Sequence, residues 1–205
     1  MSTVDEAVAA IRKGEPVVLP FDTVYGVAAD PYRDEPTRRI YRLKGRNEYK
    51  PSALVACDVD YLLECVPELR GRSATIARAL LPGAYTLVFP NPARRFPWLT
   101  GATPEAIGVR VPDVFEPCAE VLARVGALVA TSANHPGGQD PASLDDVPED
   151  IRAGAAAVVD GGRLQGSPST VIDFTGPEPR VLRLGAASGS EALQRVASLL
   201  EAARA

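Results

Sequence analysis

The chain has 205 residues, 46 % apolar and 23 % charged, with 26 acidic against 22 basic side chains and a net charge of −4. That length and apolar content suit one domain with a sizeable core, and the acidic balance argues against a broad nucleic-acid-binding face. A single histidine, His135, excludes H-E-x-x-H and multi-histidine metal chemistry, and three scattered cysteines without C-x-x-C spacing (Cys57, Cys65, Cys118) suit a reducing cytoplasm.

In chain order, Thr3 with Glu6 three residues on reads as a capping box opening an amphipathic helix through Arg12, which Gly14 stops. This charged start is not a secretory signal, and no apolar run approaches the ~20 residues of a membrane span. PVVLP (16–20) is a short apolar strand. Residues 35–43 form a helix, with Ile40 and Leu43 at helical spacing, and PSALVAC (51–57) is a buried strand. Helices follow over about 59–65 and 68–81. AYTLVFP, AIGVRVP and ALVATSAN read as strands, with a helix over 116–124 before the last. HPGGQDPASLDDVPED (135–150) is rich in Pro, Gly and Asp and reads as a long mobile loop over a site. AAAVVD, STVIDF and PRVLRL are three further short strands, and Ser188 with Glu191 starts a final helix of about 188–203. Helices and strands alternate early and strands dominate late, the pattern of an α/β sheet of mixed direction.

Charge is unevenly placed. Two of the three lysines, Lys44 and Lys50, fall in residues 38–51 together with Arg38, Arg39, Arg42 and Arg46. The three arginines before Lys44 lie in a helical pattern and read as a solvated face. Polar clusters recur at strand ends, where open α/β sheets bind ligands: PFDTVYG, LKGRNEYKP, VRVP, TSAN, SPST and LRLG. Taken singly, each is explained as a turn, a cap or a surface residue. Together, Arg46, Lys50, Arg110 and Arg183 supply cations, and Thr23, Ser132, Asn134, Ser169 and Thr170 supply hydroxyls and an amide. Cys118 and His135 are a conceivable nucleophilic pair, but FEPCAEVLARV reads as a helix with Cys118 in the core. With no obvious nucleophile or general base, this is the inventory of a site that holds and orients polyanions, as in adenylyl or phosphoryl transfer. Neither G-x-x-x-x-G-K-[ST] nor a dinucleotide fingerprint is present, so side chains rather than a P-loop would hold a nucleotide.

The ordered set P-x-D-T-V-Y-G (20–26), K-x-R (44–46) followed by K-P (50–51), P-G-x-x-T (82–86), V-R-V-P (109–112), T-S-A-N (131–134) and S-T-V-I-D (169–173) resembles the YrdC-like threonylcarbamoyl-adenylate synthases. The resemblance runs over about residues 5–185. It implies a single YrdC-like domain over 1–205: an α/β fold with a twisted mixed parallel and antiparallel sheet flanked by helices, and a large positively charged groove. The related hydrogenase-maturation carbamoyltransferases carry such a domain within much longer chains, and longer synthases add a C-terminal domain for which 205 residues leave no room.

The implied reaction converts L-threonine, bicarbonate and ATP, with Mg²⁺ on the phosphates, to L-threonylcarbamoyl-AMP and pyrophosphate. A downstream transferase then modifies tRNA. Carried over position by position, the resemblance makes Lys44, Arg46 and Lys50 the catalytic basic motif, with Arg46, Lys50, Ser132, Asn134 and Arg183 on ATP. It places Thr23, Arg110 and Ser169 on threonine, and no protein side chain on the metal. Two positions depart from the family pattern: Phe21 stands where a threonine is usual, and Val55 where a polar residue is common. The alternatives are an adenylating enzyme for another amine, and a nucleotide- or double-stranded-RNA-binding module of the same fold, whose groove would bind RNA weakly.

Overall fold

The computed structural model describes residues 1–202. Its elements are α1 (Val4–Arg12), β1 (Val17–Pro20), β2 (Tyr25–Ala29), α2 (Asp34–Lys44), β3 (Ala53–Ala56), α3 (Val59–Cys65), α4 (Arg72–Leu80), β4 (Tyr85–Pro90), β5 (Ala106–Arg110), α5 (Cys118–Val125), β6 (Ala127–Ser132), a 3₁₀ turn (Leu144–Asp146), α6 (Glu149–Gly154), β7 (Ala157–Val158), β8 (Thr170–Asp173), β9 (Arg180–Arg183) and α7 (Gly189–Ala202). Thr3 caps α1 through the expected box: its hydroxyl accepts from the Glu6 amide at 3.2 Å, and the Glu6 carboxylate accepts from the Thr3 amide at 2.7 Å. The expected end of the last helix, at residue 203, lies outside the described residues.

The strands form one sheet in the order β7-β1-β2-β6-β3-β5-β4-β8-β9. Pairs β1–β7, β3–β5 and β4–β8 are parallel; the other five are antiparallel. The mixed sheet expected from the alternation is therefore present. Strand β2 was not expected. Its residues, YGVAA, are buried on both faces, so they show no polar–apolar alternation.

The two faces are covered unequally. On one, Leu54, Leu87, Phe89, Val109, Val129 and Ile172 pack with residues of α2, α3, α4, α6 and α7. On the other, α1 and α5 press Ala7, Val8, Ile11, Val121 and Leu122 onto Val17, Leu19, Ala28, Val55 and Leu128 of β1, β2, β3 and β6. Side chains alternate between faces along a strand, so the β4, β5 and β8 residues on this second face lie beyond these helices. This arrangement creates a hollow.

Segment 135–150 departs from the expected mobile loop. The Tyr25 amide donates to the Pro141 carbonyl at 2.9 Å, and the Leu164 amide to that of Ala142 at 2.7 Å. Ser143 and Asp146 form a capping box around the 3₁₀ turn, Val147 is buried, and α6 begins within the segment and buries Ile151 in the helix-rich core. Asp and Pro read as loop signals here because they cap and start two very short helical elements, each too brief to show a period.

Candidate functional site

A cavity of about 280 Å³ occupies the bare part of the second face. Its floor is small and mostly apolar: Ala53 and Val55 of β3, Thr86 and Val88 of β4, Ala106 and Gly108 of β5, Ala130 of β6, and Val171 of β8. These are alternate residues of neighbouring strands, as register requires: Ala53 pairs with Gly108 and Ala130, and Val88 with Gly108. The expected polar clusters thus ring an open sheet face rather than meeting only at strand ends. Arg46, Thr23, Arg110, Ser132, Ser169 and Arg183 all line this cavity, and none of its lining residues is acidic.

Arg46 reaches the rim because α2 ends just before it. Gly45 takes φ +60°, and the amides of Gly45 and Arg46 close the helix end onto the Arg42 and Tyr41 carbonyls. The Arg46 Nη2 donates to the Pro51 carbonyl at 2.6 Å, while its buried Nε has no protein partner. On the opposite side, Arg110 at the end of β5 donates through Nη2 to the Asp22 carboxylate and, at 2.8 Å, to Thr23 Oγ1; its buried Nε is likewise unpartnered. Among the described residues only four buried side-chain polar atoms lack a partner, and two belong to these cavity arginines. A buried unpaired donor is costly, and in both arginines it belongs to a side chain that lines the cavity.

Arg183 donates through Nη2 to Ser169 Oγ at 3.2 Å and through Nε to the Ser169 carbonyl at 3.1 Å, and the Ser169 and Thr86 hydroxyls lie 2.8 Å apart. Burial lowers the Arg110 pKa from its ordinary value; Asp22 opposes this, and the nearby positive charge of Arg183 adds to it. Burial pushes the Asp22 carboxyl above the usual carboxylate range, against the pull of Arg110.

Three expected site residues do not line the cavity. Lys44 is 1 % exposed, its ammonium donating to the Ser132 carbonyl and, at 3.3 Å, to Thr131 Oγ1. It pins the end of β6 to α2. Burial, helped by Arg46 and opposed by Asp140, lowers its pKa to about 7. Asn134 closes the turn after β6, accepting from the Ser132 hydroxyl at 2.7 Å and donating to the Gly138 carbonyl at 2.8 Å. Lys50 is exposed in the loop before β3. No residue of segment 135–150 lines the cavity either.

The thiol of Cys118, on α5, is buried in the core and pushed up to about 12, by burial first and Asp22 second. His135 is held elsewhere, Nδ1 by the Lys44 carbonyl at 3.2 Å and Nε2 by Asp150 at 3.0 Å. Both partners are acceptors, which favours the doubly protonated ring and raises its pKa. The two residues form no nucleophilic pair.

Sequence reasoning assigned no role to Asp22 or Thr86, although both stand in quoted motifs. Phe21, buried, Val24 and Val55 all line the cavity and give it apolar surface.

The family model Sua5/YciO/YrdC, described as "Telomere recombination", matches residues 9–185. A Bacillus subtilis protein named threonylcarbamoyl-AMP synthase is 32 % identical over 184 residues, covering 88 % of this chain and 52 % of its own, so this chain spans about half of that relative. A Mycobacterium tuberculosis relative is 32 % identical over 196 residues, with 95 % of this chain and 87 % of that one aligned. The structure of P. abyssi Sua5 complexed with L-threonine superposes with a TM-score of 0.85 at 29 % identity, over 94 % of this chain and 56 % of that one. Among the described residues no helix is long and apolar enough to cross a membrane.

Proposed function

The chain belongs to the Sua5/YciO/YrdC family, and from that premise we propose that it makes L-threonylcarbamoyl-AMP from L-threonine, bicarbonate and ATP, releasing pyrophosphate, in the service of tRNA modification. The observation that carries the reading is the single cavity in which Arg46, Arg110 and Arg183 converge from three separate stretches of chain, with Arg183 bonded to Ser169 and close to Arg110. The reaction needs such contiguity. The threonine amine takes up bicarbonate with loss of water, giving an N-carboxylate. One oxygen of that carboxylate then attacks the α-phosphorus of ATP, and the bond to the β-phosphate breaks to release pyrophosphate. Two anions must meet, and fixed cations in a partly dry site offset their repulsion.

In this reading Arg110, Thr23 and Ser169 take the amino acid. Arg46, Arg183 and the Ser132 hydroxyl take the nucleotide. ATP would arrive as its Mg²⁺ complex, the metal supplying charge neutralisation for the phosphates. Lys44 and Asn134 act by holding the end of β6, and hence Ser132, in place. Lys50, exposed and outside the cavity, would add its charge to the phosphates only from the loop before β3. The product would pass to a transferase that acts on tRNA.

The test is pyrophosphate release with ATP and each amino acid, with and without bicarbonate. Release that needs both threonine and bicarbonate supports the reading. Release with a different amine favours the alternative adenylating enzyme, and RNA binding without turnover favours a binding module. Threonine is expected to exceed serine in kcat/KM by about tenfold or more, because Phe21, Val24 and Val55 offer the γ-methyl apolar surface worth ~1.4 kcal/mol or more. A kcat/KM for serine equal to or above that for threonine would refute this role for the apolar surface.

Arg38 and Arg39 give the contrasting expectation. Both are surface residues of α2, paired with Asp34 and Glu48 and with Glu15 and Glu35. Arg38→Ala and Arg39→Ala should leave pyrophosphate release within about twofold of the parent and change stability by under about 0.5 kcal/mol. A tenfold loss of release in either variant would place the anion site on the α2 surface.

A further inference from the structure

Asp22 is a buried carboxylate at the edge of the cavity that the functional reading leaves without a task. Its neighbours Phe21 and Thr23 line the cavity, whereas Asp22 does not. Its side chain is 8 % exposed, and that of Arg110 11 %. Its two oxygens make different bonds: Oδ1 accepts from Arg110 Nη2, and Oδ2 accepts from the Asp113 amide at 3.2 Å. The carboxylate therefore ties the β1–β2 turn to both the side chain at the end of β5 and the main chain three residues on.

The guanidinium is held by one nitrogen. Nη2 carries both protein bonds, to Asp22 and to Thr23 Oγ1. Nε is buried without a partner. A long side chain in a cavity wall has several rotamers, and a hydroxyl alone is a weak restraint on them. A carboxylate fixed by a backbone amide is a strong one.

We propose that Asp22 is a positioning residue: it fixes the guanidinium of Arg110 from outside the cavity so that the part of the side chain that lines the cavity is held ready for the carboxylate of the amino-acid substrate. The assignment rests on the functional reading above. It also explains how a buried arginine is kept in place before substrate arrives, since an unpaired guanidinium at this depth would swing toward water.

The sign of the expected effect separates positioning from simple charge. Were Asp22 only a competing anion, its removal would strengthen carboxylate binding. Were it only structural, its loss would lower the active fraction, and so apparent kcat, without altering KM. Positioning predicts that Asp22→Asn raises the KM for threonine about tenfold and leaves the KM for ATP unchanged. Asparagine keeps the volume but cannot accept from both the guanidinium and the Asp113 amide.

Calorimetric binding of L-threonine and of L-threoninol, in which the carboxylate is reduced to an alcohol, gives a readout independent of turnover. The parent should prefer threonine, and Asp22→Asn should lose most of that preference. If Asp22→Asn does not fold, Asp22→Glu, which keeps the charge on a longer stem, should fold and show an intermediate preference. An unchanged threonine KM and an unchanged preference over threoninol in the substituted protein would overturn the assignment while leaving the enzyme reading intact. A parent protein that neither binds nor turns over threonine would overturn that reading and this assignment with it.

Discussion

Arg46→Ala is expected to slow pyrophosphate release about a hundredfold while the Tm stays within about 4 °C of the parent. The side chain leaves the end of α2 just past Gly45, lines the cavity, and is oriented by one bond to the Pro51 carbonyl at 2.6 Å. Burial lowers its pKa from the ordinary arginine value, the sign of a cation partly stripped of water, and its Nε has no protein partner. A desolvated, pre-aimed charge is what stabilises a developing phosphorane, and losing one such donor costs on the order of 3 kcal/mol, or about a hundredfold. The fold loses one hydrogen bond, about 1 kcal/mol, which in a chain of this size moves Tm by about 2–4 °C. Lys50→Ala should cost less, because that side chain is exposed and outside the cavity. Stopped-flow or coupled pyrophosphate assays beside a thermal melt decide the matter. Near-parental turnover in Arg46→Ala would remove the nucleotide from this part of the cavity.

Legibility in the sequence followed the reach of the signals. Capping at Thr3 and the strand-forming runs of β1, β3, β4, β5 and β6 are local, and each corresponds to an observed element. Strand β2 was hidden because its residues are buried on both faces. The 3₁₀ turn and α6 were hidden because they are shorter than a helical repeat can reveal. Motif order named the residues around the cavity, but not which side chains enter it. Lys44 and Arg46 are two apart, yet a helix end lies between them, so one pins β6 from within the fold and the other faces the cavity. The floor itself, Ala53, Gly108, Val88 and their neighbours, carries no sequence signal. Small strand residues line a site only if no helix covers them, and that depends on where α1 and α5 pack, a long-range property of the chain.

Gly101→Ala is expected to lower stability by about 3 kcal/mol and to reduce activity well below the melting transition. Gly101 has φ +60°, and a methyl group there would stand 2.3 Å from the Tyr49 carbonyl oxygen and 2.9 Å from the Pro51 nitrogen. Backbone atoms cannot swing aside as a side-chain tip can. The left-handed conformation costs an alanine about 1 kcal/mol, and the forced displacement of main chain about 2 more. For this chain length that lowers Tm by about 6–12 °C. The activity loss follows from what the displaced segment carries. The Ala102 amide bonds to the Tyr49 carbonyl at 3.1 Å, and the Ser52 amide to the Leu99 carbonyl at 2.8 Å, so the two loops are laced together. Pro51 in turn holds the Arg46 guanidinium, and Pro51, Ser52 and Thr103 line the cavity. A shift of about an ångström in positioning groups costs up to about a hundredfold in rate. Gly71→Ala is the control, because Gly71 has φ +55° but open space where the methyl would go. It should lose only the conformational part, on the order of 1–3 kcal/mol because its ψ of −125° lies outside the left-handed helical well, and keep full activity at temperatures where it is folded. If both variants melt alike and turn over alike, the loop at Gly101 is not pressed against the segment that carries the site, and the proposed link between the 97–103 loop and Arg46 is wrong.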